Sequence, residues 1–594
     1  MTEAKHCYTD EKNAQIVIAL LKAHGIRKVI ANPGTTNIPI VGSVQNDPWF
    51  EVYSGIDERH SAYMAVGMAA ESGEPVVLSC TGATASRNYF PALTEAYYRK
   101  IPVLAITSSH HFNDCGSLLP QAIDRSVQPK DTVRYSVQCS VPHTPQEEAD
   151  CVSNINKALL ELTRHGGGPV HINLETARQF TFNTKSLPDV RVIRRWTLDS
   201  ASKAPRIDDA KKVAIWVGSH RPFSESEVEA IERFVKSHNA IVVTEKTSEY
   251  RGLGAVNVSL IGQQSAIWSN PKYDQIRPDL IVQIGEIPAD PGIFGFIGGC
   301  CEYWRVSEDG EVRDLFNRLT NVFEMTETQF FDMMSEDGPQ SAGYANAVSV
   351  LDAELRENIP ELPFSNLWIA SKTCAHLPAG SVLHLGIYNS LRSWNMFQLP
   401  YGVTANSNVG GFGIDGALST IIGASLASPS KLFFGVFGDL AFFYDLNSLG
   451  NRHIGNNVRI LLVNNGCGSE FRIYSHPASK FGERANDYMA AGGHFKKHPY
   501  DVVKHFAEDN GFKYLSASNK DEFENTVEQF LSVEQDAPII FECFTKPEDE
   551  SDALKLINSI DKYEPPAQPL TVKGAIKAVV PQRIKNIIKA AIGR

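Results

Sequence analysis

The fold is decided by residues 431–466, KLFFGVFGDLAFFYDLNSLGNRHIGNNVRILLVNNG. One apolar run ends here in Gly438-Asp439, and a second ends in Asn464-Asn465-Gly466. If both runs are parallel strands, their carboxyl ends meet at the sheet edge where ligands bind. A carboxylate, an amide oxygen and a nearby backbone carbonyl suit Mg²⁺, and glycine lets the backbone approach a diphosphate. The stretch therefore predicts a magnesium-diphosphate site on an α/β domain.

The rest of the chain alternates short apolar runs with helical patterns, which is typical of βαβ units and a parallel sheet. Clear strand candidates are PVVLSCTG (75–82), IPVLAITSS (101–109), KKVAIWVGS (211–219) and PDLIVQIGE (278–286). We predict an α/β protein with three doubly wound parallel-sheet domains at 1–185, 205–350 and 356–565, followed by a basic tail at 566–594.

The composition excludes several classes of protein. The chain has 594 residues, and its 56 Lys and Arg against 68 Asp and Glu give a net charge of −12, so nucleic acid is not expected as a partner. We find neither a long apolar run nor a signal-peptide pattern, so we expect no membrane span and a cytoplasmic location. The ten cysteines contain no CxxC pair, which argues against a disulfide framework or a structural zinc site.

The tail has a different character from the body. After Pro581, isoleucines recur at helical spacing with basic residues between them, which predicts a short basic amphipathic helix. Such a helix could make peripheral contact with an anionic membrane or dock on the protein's own acidic body.

The spacing between Gly438-Asp439 and Asn464-Asn465 resembles the cofactor motif of thiamine diphosphate (ThDP) enzymes, whose three α/β domains follow the same order. The segment YSGIDERHSAYMAVGMAAESGEP (53–75) resembles the family segment that carries a glutamate, here Glu58. The resemblance implies that Glu58 hydrogen-bonds the aminopyrimidine of ThDP across a subunit interface and assists proton removal from the cofactor. It also implies a homodimer or homotetramer with active sites between chains.

The resemblance extends to the loops that hold the cofactor and Mg²⁺. The metal ligands it implies are Asp439, Asn465 and Cys467. The cofactor-binding residues it implies are Pro33, Gly34, Thr35, Thr81, Gly82, Asn389, Ser390, Gly413, Ile414, Gly438, Asp439, Leu440 and Asn465.

Other residues are candidates for contact with the substrate. By resemblance, Gln121 faces the substrate, and His110, His111 and Glu470 match residues that move protons in related 2-oxo acid decarboxylases. A surface role for Glu470 and a helix-capping role for His110 are the alternatives. Residues 471–501 resemble a lid in which Arg472, His476 and Lys480 could bind an anion, or else they form a solvated loop.

Within the family, GFGIDGALST and GDLAFFYDLNSL look most like the menaquinone-pathway synthase branch, whose SEPHCHC synthases join 2-oxoglutarate to isochorismate. Three features depart from that branch: Thr35-Thr36 stands where an arginine is expected, Arg392 lies two residues after Ser390 instead of four, and NNGCGSEF places Glu470 near the substrate. Isochorismate is a dianion that favours arginines, so the departures indicate a different donor or acceptor.

The resulting hypothesis is ThDP- and Mg²⁺-dependent decarboxylation of a small 2-oxo acid, with transfer of the acyl-anion unit to a small-molecule acceptor. Simple decarboxylation to an aldehyde and the SEPHCHC synthase reaction are the alternatives. A dinucleotide fold is weakly indicated by GFGIDG (411–416), but the preceding GVTANSNV looks like a poor strand. A non-catalytic scaffold would not need Glu58, Asp439 and Asn465 together.

Overall fold

The computed structural model describes residues 7–178, 180–209, 211–298, 301–336, 343–494 and 499–562, so the predicted tail lies outside the described residues. Two compact units make up the chain: Met1–Ala204 with Tyr303–Met325, and Pro205–Glu302 with Thr326–Arg594. The strands form three parallel sheets, of six, seven and six strands, which confirms the predicted fold class. The predicted domain boundaries stay a prediction. Among the described helices, none is long and apolar enough to span a membrane.

The first sheet lies in the first unit. Its strands are β1 Lys28–Ala31, β2 Glu51–Ser54, β3 Val76–Cys80, β4 Val103–Ser109, β5 Tyr135–Cys139 and β6 Val170–Glu175. Its helices are α1 Lys12–Ala23, α2 Ile38–Asn46, α3 Glu58–Ser72, α4 Thr84–Arg87, α5 Phe90–Arg99 and α6 Pro145–Glu161. The strand order is β2-β1-β3-β4-β6-β5.

The central strands of this sheet are buried on both faces. Neighbouring residues of a strand point to opposite faces, and each set packs in a different core cluster. Val29 and Leu104 belong to a core cluster that includes α1 and α6 residues. Their neighbours Ile30 and Val103 belong to a second cluster with α3 and α5 residues. Helices on both faces are typical of a doubly wound sheet and explain why its central strands β3 and β4 are buried along their whole length.

The middle strands are β7 Arg194–Thr197, β8 Val213–Val217, β9 Ile241–Val243, β10 Ala255–Val256, β11 Leu280–Ile284, β12 Glu302–Val306 and β13 Leu319–Glu324. Within the second unit they pair in the order β10-β9-β8-β11, and within the first unit β12-β13-β7. The accompanying helices are α7 Glu225–His238, α8 Ser259–Gly262, α9 Pro291–Ile297, α10 Glu327–Met334 and α11 Gly343–Glu357.

The third sheet lies in the second unit and carries the stretch 431–466. Its strands are β14 Val382–Leu385, β15 Thr404–Ser407, β16 Phe433–Gly438, β17 Val458–Asn464, β18 Lys513–Ala517 and β19 Ile539–Phe544. Its helices are α12 Asn366–Thr373, α13 Asn389–Asn395, α14 Ala417–Ala427, α15 Asp439–Tyr444, α16 Pro499–Asp509, α17 Lys520–Leu531 and α18 Pro547–Ile557.

The strand order of the third sheet, β15-β14-β16-β17-β19-β18, repeats that of the first sheet. The expectation that GVTANSNV is a poor strand was wrong, because Thr404–Ser407 pairs in parallel with β14 at the sheet edge. Strands β16 and β17 are neighbours, with Gly438 opposite Val463. This register brings the two polar ends of the stretch to the same edge of the sheet.

Candidate active site

Asp439 lies directly after β16 and is 3% exposed. Its Oδ1 accepts a hydrogen bond from the backbone N–H of Leu440 at 2.8 Å, and its Oδ2 accepts one from Gly466 at 2.6 Å. Burial raises the pKa of Asp439 to about 7, although surrounding backbone N–H groups act in the opposite direction. A buried carboxylate bonded by backbone donors is the kind of group that a bound cation would stabilise.

The two asparagines after β17 have separate roles. Asn464 turns toward β19, where its Nδ2 donates to Oε1 of Glu542 at 2.7 Å. Asn465 instead lines a cavity together with Asp439, and Gly466 turns the chain with a φ of 75°. The motif therefore supplies one structural amide and one amide on the cavity.

This cavity has a volume of about 620 Å³ and a mostly apolar wall. It brings together all eight residues predicted for the cofactor in the second unit and three further residues predicted to meet metal or substrate. These residues are Asn389, Ser390, Gly413, Ile414, Gly438, Asp439, Leu440, Asn465, Cys467, Glu470 and His476.

Glu550 fixes the wall around Asn389, and sequence reasoning missed it. Its carboxylate accepts hydrogen bonds from the backbone N–H of Asn366, from Nδ2 of Asn389 at 3.0 Å and from Oγ1 of Thr545 at 2.7 Å. Burial raises the pKa of Glu550, and these donors oppose that effect. Glu550 follows Asn389 by 161 residues, and no local pattern signals the contact.

The cavity suits a diphosphate only together with a divalent cation. Its described lining includes the carboxylates of Asp439 and Glu470 but neither lysine nor arginine, so a diphosphate would add negative charge to an acidic wall. The described residues hold no group of three or more His, Cys, Asp or Glu side chains suited to a metal. A Mg²⁺ ion that takes oxygens from Asp439, Asn465, a backbone carbonyl, phosphate and water fits this donor set. A Cβ on Gly438 would meet no atom within 4 Å, so space remains beside the strand end.

In the first unit, the predicted loops after β1 and β3 contact each other. Oγ1 of Thr36 lies 2.7 Å from Oγ1 of Thr81 and also donates to the carbonyl of Ser108 at 3.1 Å. A Cβ on Gly34 would lie 2.5 Å from Cβ of Thr81, so only glycine permits this approach. The structure thus brings together the strand-end loops that contain Pro33, Gly34, Thr35, Thr81 and Gly82.

Glu58 is the first residue of α3 and is half-buried. The N-cap Asp57 accepts a hydrogen bond from the backbone N–H of His60 at 2.8 Å, which fixes the start of the helix. Ser61 accepts from Nδ2 of Asn32, and Asn32 accepts from the hydroxyl of Tyr89. Glu58 therefore projects from a helix end that a buried hydrogen-bond network holds in place.

The adjacent histidines have different environments. His110 is 6% exposed and contacts Nη2 of Arg178. Burial lowers the pKa of His110, and the positive charge of Arg178 lowers it further. Nδ1 of His111 lies 2.5 Å from Oε1 of Glu175, while its side chain is 57% exposed. Sequence reasoning found the pair but missed Arg178.

Gln121 is exposed on a loop with a φ of 67°, four residues before the buried Arg125. Nε and Nη1 of Arg125 have no hydrogen-bond partner among the described residues. Burial lowers the pKa of Arg125 to about 10. A Cβ on Gly82 would lie 3.2 Å from Nη1 of Arg125, so this guanidinium lies against the loop after β3.

Two of the three residues predicted to bind an anion in 471–501 contact other groups. Arg472 donates to Oδ1 of Asn486 at 2.9 Å and to Oε1 of Glu548 at 2.7 Å. Lys480 is exposed, with Nζ 5.3 Å from the ring centroid of Phe481. His476 is the member of this set that lines the cavity. Residues 495–498 lie outside the described part of the chain.

Two family descriptions match the chain: "Thiamine pyrophosphate enzyme, N-terminal TPP binding domain" at residues 11–131, and the corresponding "C-terminal TPP binding domain" at residues 391–543. Among similar proteins are 2-succinyl-5-enolpyruvyl-6-hydroxy-3-cyclohexene-1-carboxylate (SEPHCHC) synthases. That of Bacteroides fragilis is 32% identical over 562 residues, and that of Phocaeicola vulgatus is 30% identical over 569 residues. In both comparisons the alignment covers 92% of this chain and 98% of the relative.

Proposed function

This chain belongs to the thiamine diphosphate enzyme family, and from that membership we propose that it is a ThDP- and Mg²⁺-dependent carboligase. Its donor is a small 2-oxo acid that loses CO₂, and the remaining acyl unit is transferred to a small-molecule acceptor. When bound, ThDP supplies an electron sink for the decarboxylation.

The observation that carries this proposal is that the carboxyl ends of β16 and β17 meet beside one cavity. Asp439 and Asn465 line one cavity, and a hydrogen bond from Gly466 to Asp439 links the two strand ends. The side chains of Asp439 and Asn465, with the backbone carbonyl of Cys467, would hold Mg²⁺. The space beside Gly438 would admit the diphosphate.

Glu58 would hold a proton at its carboxyl group against the pyrimidine ring of the cofactor, as the family resemblance implies. Its place at the fixed start of α3 supports this role, because a proton donor must be oriented to be efficient. His110, His111, Gln121 and Glu470 remain candidates for contact with the substrate.

The SEPHCHC synthase reaction is the second candidate, and the names of the relatives favour it. Thr35-Thr36 and the position of Arg392 still depart from the arginine pattern that a dianionic acceptor calls for. Simple release of an aldehyde is the remaining alternative. We also propose a homodimer or homotetramer in the cytoplasm.

The test is CO₂ release by the purified protein from a panel of 2-oxo acids, with and without aldehyde, 2-oxo acid and alkene acceptors, including 2-oxoglutarate with isochorismate. We expect release that requires ThDP and Mg²⁺ and rises with an acceptor. Release that no acceptor changes would favour a plain decarboxylase. Turnover indifferent to ThDP, or none under any condition, would contradict the proposal.

A further inference from the structure

Arg392 and Glu470 form an ion pair at the wall of the Asp439 cavity. Nη1 of Arg392 lies 3.2 Å from Oε1 of Glu470, and Nη2 lies 2.5 Å from Oε2. Two parallel bonds between a guanidinium and a carboxylate are a strong, directional arrangement that fixes the orientation of the Glu470 side chain.

The two partners differ in their access to the cavity. Glu470 belongs to the lining, and its side chain is 23% exposed, whereas the Arg392 side chain is 7% exposed and does not belong to the lining. Nε of Arg392 is buried without a hydrogen-bond partner among the described residues. Glu470 therefore turns the negative end of this ion pair toward the cavity and covers the cation behind it.

Apart from Arg392, the described residues of this wall place no lysine or arginine beside Glu470 on the cavity. Nδ1 of His476 is already engaged, because it accepts a hydrogen bond from the backbone N–H of Ala478 at 3.1 Å. Arg472 is engaged with Asn486 and Glu548. The positive charge of a Mg²⁺ ion at Asp439 would be balanced by the negative charge of the diphosphate, so it would not offset Glu470.

We propose that Glu470 is a specificity-determining residue: it accepts a substrate whose far end carries a hydrogen-bond donor, such as a hydroxyl, amide or amine, and rejects a carboxylate there. Rejection follows from like-charge repulsion between Glu470 and a distal carboxylate, which discriminates between otherwise identical molecules. This inference rests on the proposed function, because it assumes that the substrate enters this cavity.

The experiment compares 2-oxoglutarate with the open-chain form of 2-oxoglutaramate, which differ only in a distal carboxylate and carboxamide; rates are expressed per concentration of open-chain compound, because the amide cyclises in solution. For the holoenzyme with ThDP and Mg²⁺, we expect kcat/KM for CO₂ release to favour the carboxamide by at least about tenfold. In Glu470→Ala, the uncovered Arg392 should shift this ratio toward 2-oxoglutarate by about tenfold or more.

A double variant, Arg392→Ala with Glu470→Ala, is the matched control. Removing both members of a buried ion pair is tolerated better than removing one, so this variant is expected to fold. In this variant the ratio of kcat/KM values should not shift toward 2-oxoglutarate as it does in Glu470→Ala, because no cation remains to bind the carboxylate. The unfolding temperature of each variant checks that the comparison is between folded proteins.

Binding of both compounds, measured by calorimetry on protein loaded with Mg²⁺ and a non-reactive ThDP analogue, separates this inference from the proposed function. If binding follows the expected ratios while neither compound releases CO₂, the specificity assignment holds and the proposed reaction fails. If the wild type favours 2-oxoglutarate, if Glu470→Ala leaves the ratio unchanged, or if the double variant keeps the gain, the assignment of Glu470 is wrong.

Discussion

The backbone N–H of Gly466 donates a 2.6 Å hydrogen bond to Oδ2 of Asp439, across 27 residues of sequence. The bond joins the loop after β17 to the first residue after β16. The Asp439 side chain therefore has two functions. Its Oδ2 links the ends of the two strands, and the carboxylate as a whole presents oxygen to the cavity. Because Asp439 is buried, its negative charge destabilises the folded protein unless a cation compensates it.

Asp439→Asn should separate these functions. The pKa of Asp439, raised from 3.8 to about 7, means that its stabilising contribution is present below pH 3.8 and is lost as the pH rises through 7. At pH 8 without ligands, the variant should therefore be as stable as the wild type or more stable, by roughly 1–4 kcal/mol. With Mg²⁺ and ThDP, thermal unfolding should show a large upward shift for the wild type and little for the variant.

Chelation of the metal provides the control for Asp439→Asn. EDTA should reduce the ligand-induced shift of the wild type to that of the variant, and should not change the variant further. A variant that still gains its full shift from Mg²⁺ and ThDP would show that Asp439 does not bind the metal.

Glu58→Gln tests the proton-holding role at the start of α3. The substitution preserves size but removes the proton that Glu58 would hold, so kcat should fall by about 10²–10⁴-fold. The shift in unfolding temperature caused by ThDP should largely persist, because the proposed diphosphate site lies in the second unit. Glu71→Gln, an exposed change on the same helix, should keep full activity. Full turnover in Glu58→Gln would remove this residue from the mechanism.

Central strands could be predicted from the sequence, whereas edge strands could not. Strands β3, β4, β16 and β17 are buried along almost their whole length and appear in the sequence as mostly apolar runs. Strand β2, EVYS, is exposed at all four residues. Edge strands such as β2 and β15 are held by one neighbour and leave no clear apolar pattern.

The candidate site shows a similar limit. Asp439 and Asn465 could be found because a short motif contains both, and the structure places both on one cavity. The pairing of Arg392 with Glu470 spans 78 residues and depends on how α13 meets the loop after β17. Sequence reasoning singled out both residues, but their contact arises from tertiary packing.

Gly34→Ala tests the contact between the loops after β1 and β3. The added Cβ would lie 2.5 Å from Cβ of Thr81 and from Oδ1 of Asn37, so these loops must separate. We expect a loss of about 1–3 kcal/mol in the free energy of unfolding and weaker ThDP binding. Gly67→Ala on α3, where a Cβ meets nothing within 4 Å, should be neutral or stabilising by up to about 1 kcal/mol. Equal effects of the two changes would contradict a close contact at Gly34.

Two buried carboxylates of the second unit should make stability depend on pH. Glu245 accepts hydrogen bonds from the backbone N–H groups of Ala289 and Asp290, and Asp290 accepts from Gly292 and Ser259. Burial and the nearby Asp290 raise the pKa of Glu245 to about 8, despite these donors. Burial also raises the pKa of Asp290.

Because the folded-state pKa of Glu245 exceeds the ordinary 4.5, its stabilising contribution is present below pH 4.5 and is lost as the pH rises through 8. Asp290→Asn keeps an N-cap acceptor for Gly292 but removes the neighbouring charge, so the loss between pH 5.5 and pH 9 should shrink by about 1–3 kcal/mol. Denaturant unfolding at both pH values measures this change. The exposed substitution Asp536→Asn should leave the wild-type profile intact, and an identical profile for Asp290→Asn would mean that the two carboxylates do not interact.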